Sequence, residues 1–156
     1  MTLKYKQILV AVDGSDESQL AFKKSVGIAE RNDAVLNIIY VVDARTYTAV
    51  RFQHPEVQQD AFRFGEELVE SYKQYALTAG IEKVNGLVGS GSPKRIIAPH
   101  SAKEVRADLI ICGASGLNAF DRFMLGSVSQ HIVRNSPCDV LVVRTGDKAE
   151  ENKDVL

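Results

Sequence analysis

Apolar residues fall along this chain in short, nearly unbroken blocks. Ile8 to Val12, Val35 to Val42, Leu109 to Cys112 and Val140 to Val143 are rich in Val, Ile and Leu. Blocks without polar alternation suit strands covered on both faces of a parallel sheet. Val84 to Val88 is a weaker fifth block. Between the blocks, apolar positions recur at helical spacing. Phe22, Val26 and Ala29 form one inward stripe, and Ala61, Phe64, Leu68, Tyr72, Tyr75 and Ala79 form a second. Asp16 and Glu17 place acids in the first turn of the first helix, where the helix dipole favours them, and Gly80 is positioned to end the longer one.

Ser92 and Pro93 read as N-cap and first residue of a third helix running towards Val105. Pro99 lacks the amide that this helix needs, which predicts a kink or a split there. A last helix runs from near Gly126 to Asn135, where Ser136 and Pro137 stop it. Strand and helix alternate throughout and the chain closes on a strand. That order predicts an α/β fold with a doubly wound parallel sheet, because parallel neighbours need crossover connections. The longest connection runs from Asp43 to about Asp60, a length typical of functional covers or unstructured segments. After Arg144 the polar stretch "TGDKAEENKDVL" reads as a fraying tail, so one domain is expected over 1–144 and a tail over 145–156.

Composition narrows the function classes. The 156 residues are 45% hydrophobic and 25% charged with a net charge of -1, the profile of a globular protein without the basic surplus that draws nucleic acid or acidic membranes. The opening "MTLKYKQILVAVDGS" is too soon interrupted for a signal peptide or a membrane span, and a cytoplasmic location is the expectation. Cys112 and Cys138 lack metal-ligand spacing and read as reduced core thiols. His54, His100 and His131 lie in different elements and are expected at the surface or at helix ends.

In an open parallel sheet, ligands bind beyond the carboxyl ends of the strands, where the winding reverses. The segment "GASGLNAFDRFMLGS" leaves the fourth strand there. Gly113 and Gly116 follow the strand directly, where absent side chains would let backbone approach a ligand. Gly126, Ser127 and Ser129 open a helix whose free amides and positive dipole end suit an anion, with hydroxyls as further donors. Phosphate is the anion expected. Asp13 sits at the tip of the first strand, and if strands one and four are neighbours it faces the glycine segment and is a candidate ligand for magnesium on the phosphates. The segment "VGSGSP" reads as the start of a helix and not as a second phosphate site.

These residues carry a resemblance. "GASGLNAFDRFMLGS" fits the pattern G-x2-G-x9-G-[ST] of the ATP-binding branch of the universal stress protein family, and "ILVAVDGS" and "SPCDVLVVR" are similar to that family's opening and closing strands. The resemblance covers nearly everything from Gln7 to Arg144. It implies a five-stranded parallel sheet of order 3-2-1-4-5 with helices on both faces, holding ATP at the ends of strands one and four. By the same implication Asp13 lies near the metal or phosphates and Val41 offers backbone groups to adenine. Ala11, Gly113, Gly116, Gly126, Ser127, Val128 and Ser129 surround the rest of the nucleotide. The resemblance further implies a homodimer through the strand 139–143. Relatives often carry cations at the positions of Ser115 and Leu117 and a glycine at Ala119, so Arg122 is the cation left in this segment to meet phosphate.

Three functions stay open on the sequence. The first is a regulatory protein of the stress response that holds ATP, with slow hydrolysis at most. The second is a weak Mg-dependent ATPase or nucleotidyl-transfer enzyme using Asp13 and Arg122, although neither a P-loop lysine nor a GxSxG elbow is present. The third is a nucleotide-free dimeric interaction module with an architectural glycine segment.

Overall fold

Each predicted apolar block lies inside a strand of the protein's structure, a computed structural model that describes residues 3–47, 53–115 and 124–145. The strands are β1 (Gln7–Val12), β2 (Val35–Asp43), β3 (Val84–Gly91), β4 (Leu109–Gly113) and β5 (Asp139–Val143). All pairings are parallel, in the order β3-β2-β1-β4-β5. The winding therefore reverses between β1 and β4, as the sequence implied. β3 runs three residues further than its apolar block, since Gly89, Ser90 and Gly91 keep pairing with Val41, Val42 and Asp43.

The pleat sorts side chains into two cores. Ile8, Val10 and Val12 of β1, with Leu36 and Ile38 of β2, pack on the face covered by helices α1 (Asp16–Asn32) and α3 (Pro55–Thr78). Leu9, Ile39, Ile110 and Cys112 pack on the other, under α4 (Pro93–Ile96), α5 (Ala102–Glu104) and α6 (Ser127–Asn135). Burial on both sides explains why the central blocks are continuous, while edge strand β5 is only half-buried over Val140 to Val142.

The first helical stripe packs as predicted, with Phe22, Val26 and Ala29 all buried. The second holds in part, since Leu68 and Tyr72 pack against the core. Phe64 and Tyr75 are 51% and 44% exposed, whereas Gly65, Val69 and Ala76 are the buried residues of α3. Small residues line the contact because aromatic rings from elsewhere occupy it. A Cβ on Gly65 would stand 2.5 Å from the Tyr40 ring, and Tyr72 stacks on Phe22 at 4.3 Å. The long connection is also shorter than expected, because α2 (Ala44–Tyr47) follows β2 directly and α3 begins at Pro55. Residues 48–52 between them lie outside the described residues.

Pro99 interrupts the regular α-helix, as predicted, but the chain stays helical through it. The chain passes from α4 to α5 through a π-helical turn, Ile97–Ser101, with Ala102 N–H reaching back five residues to Ile97 O. Widening the turn relieves the clash between a proline ring and the carbonyl four residues earlier. Ser92 is the N-cap residue, but its side chain makes no capping bond.

Three helices end alike. Gly80, Asp33 and Arg106 each take a positive φ, and in each case the next amide bonds a carbonyl five residues back: Ile81 to Ala76, Ala34 to Ala29 and Ala107 to Ala102. Gly80 adopts this conformation freely, whereas the Cβ of Arg106 opposes it. Arg106→Gly is predicted to raise unfolding free energy by about 1 kcal/mol in urea denaturation; a loss of stability would contradict this account of the helix end.

Candidate functional site

Where β1 and β4 diverge, two helices begin on opposite faces of the sheet, and their first turns are satisfied differently. At α1 the chain closes on itself. Asp13 Oδ1 accepts the Ser15 amide at 2.9 Å, Gly14 turns the backbone at φ 85°, and Ser15 Oγ accepts the Ser18 amide at 3.2 Å. Ser18 Oγ in turn lies 3.2 Å from the Asp13 amide. Asp16 and Glu17 then add negative charge, so this helix start carries its own anions.

α6 is different. Its N-cap is Gly126, which makes no side-chain cap. The amides of Ser127, Val128 and Ser129 are the first three of the helix and have no carbonyl within it to meet. Ser127 is exposed and Val128 half-buried. Among the described residues this is a positively polarised helix start without a side-chain cap, beside a self-capped one.

One peptide unit joins the two. The carbonyl of Ala114 accepts the Gly126 amide at 2.7 Å and the Ser129 hydroxyl at 2.8 Å, which ties the end of β4 to the start of α6. The amide of the same peptide, Ser115 N–H, donates to Glu17 Oε2 at 3.0 Å, and Ser115 Oγ bonds the same carboxylate oxygen. The other oxygen, Glu17 Oε1, accepts the Thr145 amide at 3.3 Å, so a single half-buried carboxylate holds α1 to the segments leaving β4 and β5.

This geometry sorts the expected site residues. Ala11, Val41 and Val128 are half-buried, and each packs against the core on the α6 face of the sheet, Ala11 and Val41 near the carboxyl ends of β1 and β2 and Val128 in the first turn of α6. Asp13, Gly126, Ser127 and Val128 stand around the divergence point. Ser129 belongs to the scaffold, because its hydroxyl is 4% exposed and lies between the carbonyls of Ala114 and Gly126, where its proton is spent. The expectation of a second free hydroxyl donor there is corrected.

Gly113 also has a packing role. A Cβ on it would lie 3.3 Å from Glu17 C and Ser18 N, so α1 fills the space on that side. Gly116 and Arg122, with Leu117 and Ala119, lie outside the described residues.

Sequence reasoning missed Glu17, which it presents only as an acid suited to a helix start. Its partner Ser115 is 98 residues away, and a single sequence carries no signal for that pairing. No group of three or more His, Cys, Asp or Glu able to hold a metal occurs among the described residues. Asp13 is thus a lone side-chain candidate, with Oδ1 already engaged by Ser15. Cys112 is buried and its thiol is pushed up to about 12 by desolvation, which leaves it un-ionised and inert as a nucleophile at neutral pH. Cys138 is half-buried, less enclosed than a core thiol, and desolvation raises it as well. His54 is exposed at the start of α3, while His131 is half-buried within α6 and not at a helix end. Arg45 is engaged with Asp43 at 2.8 Å, and that hydrogen-bonded guanidinium holds the carboxyl below its usual range.

Known proteins share this fold. The sequence profile of the universal stress protein family matches residues 4–144. A Staphylococcus epidermidis protein assigned to the universal stress proteins is 50% identical over 149 residues, covering 96% of this chain and 90% of its own. Among solved structures, the universal stress protein UspA of Lactobacillus plantarum superposes with a TM-score of 0.84 at 32% identity, over 92% of this chain and all of its own. A universal stress protein solved in complex with cAMP superposes with a TM-score of 0.69 at 26% identity, over 92% of this chain and all of its own. No helix of the described residues is long and apolar enough to cross a membrane.

Because the neighbours of Gly113 are backbone atoms that cannot swing aside, a larger side chain must push α1 off β4. Gly113→Val is predicted to lower stability by about 1–3 kcal/mol in urea denaturation, the usual range for overpacking a close contact. A variant as stable as the parent would show that α1 does not rest on this residue.

Proposed function

The chain belongs to the universal stress protein family, and on that premise we propose that it is an adenine-nucleotide-binding regulatory protein of the stress response, with ATP as the ligand held where β1 and β4 part. The observation that carries this reading is the uncapped start of α6 beside a floor of Ala11, Val41 and Val128. The floor suits an adenine ring. The amides of Ser127 and Val128, at the positive end of the helix dipole, suit phosphate oxygens. A protein of the same fold in complex with cAMP supports an adenine nucleotide as the class of ligand.

Asp13 is proposed to assist a magnesium ion. With a single candidate carboxylate, most of that ion's coordination would come from phosphate oxygens and water, the usual manner for magnesium on nucleotides. Gly116 and Arg122 are proposed to complete the phosphate end. β5 lies at the edge of the sheet with Val140 and Val142 half-buried, and we place the contact of a homodimer along it, since an unpaired apolar edge is otherwise open to association. Both the nucleotide and the dimer belong to the cytoplasm in this reading.

Native mass spectrometry tests the reading in one measurement. Protein incubated with excess ATP and magnesium should appear as a dimer carrying one nucleotide per chain, recovered as ATP. A nucleotide-free mass overturns the ligand, a monomer overturns the dimer, and recovery as ADP favours the ATPase alternative.

A further inference from the structure

An internal anion already stands at the phosphate end of the crevice. Both oxygens of Glu17 are engaged, Oε2 by Ser115 and Oε1 by Thr145. The Ser115 amide belongs to the peptide whose carbonyl meets Gly126 N–H at 2.7 Å. Two hydrogen bonds and one peptide unit therefore separate the Glu17 carboxylate from the Gly126 amide, a span that cannot exceed about 8 Å. A phosphate seated on the Ser127 and Val128 amides, one and two residues further on, would have this negative charge within about 15 Å. Partly buried charges are screened less than exposed ones.

The carboxylate is not free to move away. Gly113 admits the α1 backbone at van der Waals distance, which fixes where Glu17 starts, and two segments leaving different strands hold where it ends. We propose that Glu17 is a specificity-determining residue that makes the crevice discriminate between nucleotides by phosphate charge. It opposes ligands in proportion to the charge they bring to α6 and leaves recognition of the nucleoside untouched. This rests on the reading of the crevice as an adenine-nucleotide site and adds the rule by which that site ranks its ligands. The same carboxylate costs ATP affinity and organises the peptide that shapes the site, so neutralising it while keeping its shape separates the two roles.

The test is calorimetric titration of adenosine, AMP, ADP and ATP into the parent, Glu17→Gln and Glu17→Asp. The amide keeps the size and an acceptor oxygen for Ser115; the aspartate keeps the charge and shortens the reach. Glu17→Gln should tighten ATP roughly tenfold, ADP and AMP by successively less, and change adenosine by no more than about twofold, since like-charge repulsion scales with ligand charge. Glu17→Asp should keep the parent's ranking. An unchanged ATP-to-adenosine ratio in Glu17→Gln, an equal loss for all four ligands, or an aspartate variant that behaves as the amide would each overturn the proposal. Glu17→Ala gives the same neutralisation should the amide variant not fold. If neither parent nor variant binds any of the four, the nucleotide reading itself falls; if they bind with a flat ranking, only the role of Glu17 does.

Discussion

The peptide between Ala114 and Ser115 is the constraint on which the rest of this crevice depends. Its carbonyl side is pinned by Gly126 and Ser129 and its amide side by Glu17. A trans peptide points its oxygen and its hydrogen in opposite directions. It therefore ties together two helices that lie on opposite faces of the sheet. β1 and β4 are neighbours at the reversal of winding, and this link joins the two helix starts that flank it.

That link has an electrostatic outcome. α1 is supplied with its own acids and a serine cap, so its positive end is spent within the chain. α6 begins at a glycine with no cap, so its positive end is left for something else. The asymmetry gives the crevice a direction, with apolar contacts from Ala11, Val41 and Val128 along its floor and amide donors at one end. A ligand with a flat apolar ring and an anionic tail matches that order. Glu17, held on the other side of the Ala114–Ser115 peptide, is proposed to limit how much negative charge the tail brings. Binding and selectivity thus arise from one arrangement of backbone and differ only in which side of the Ala114–Ser115 peptide is considered.

Much of the fold was legible because both-face burial leaves a strong mark in sequence. The strand blocks, the alternation with helices, the helix end at Gly80, the helix start at Gly126 and the parallel sheet all follow from local patterns. The order 3-2-1-4-5 came only through family resemblance, since periodicity does not say which strands pair. The stripe on α3 was misplaced by one position because small residues carry the contact there, and a search for large apolar side chains passes over Gly65 and Ala76. Pro99 was marked correctly as a disturbance, yet whether a helix breaks or widens depends on the tertiary packing around it. At the site, Asp13 and the α6 start were visible from strand ends and helix caps. Gly113 was visible, but its packing against α1 was not, because a missing Cβ says that something comes close without saying what. Glu17 was invisible in its pairing, since contacts between residues so far apart leave no periodic trace.

The central claim is that the carboxyl ends of β1 and β4, with the start of α6, receive an adenine nucleotide. Backbone-amide NMR of the labelled protein titrated with ATP and magnesium tests it residue by residue. The account predicts the largest shifts at Ala11, Asp13, Ser115, Ser127 and Val128, with Glu30, Gly80 and Glu82 at the far end of the sheet unmoved. Shifts centred on that far end, or none at the α6 start when ATP is in excess, would contradict it.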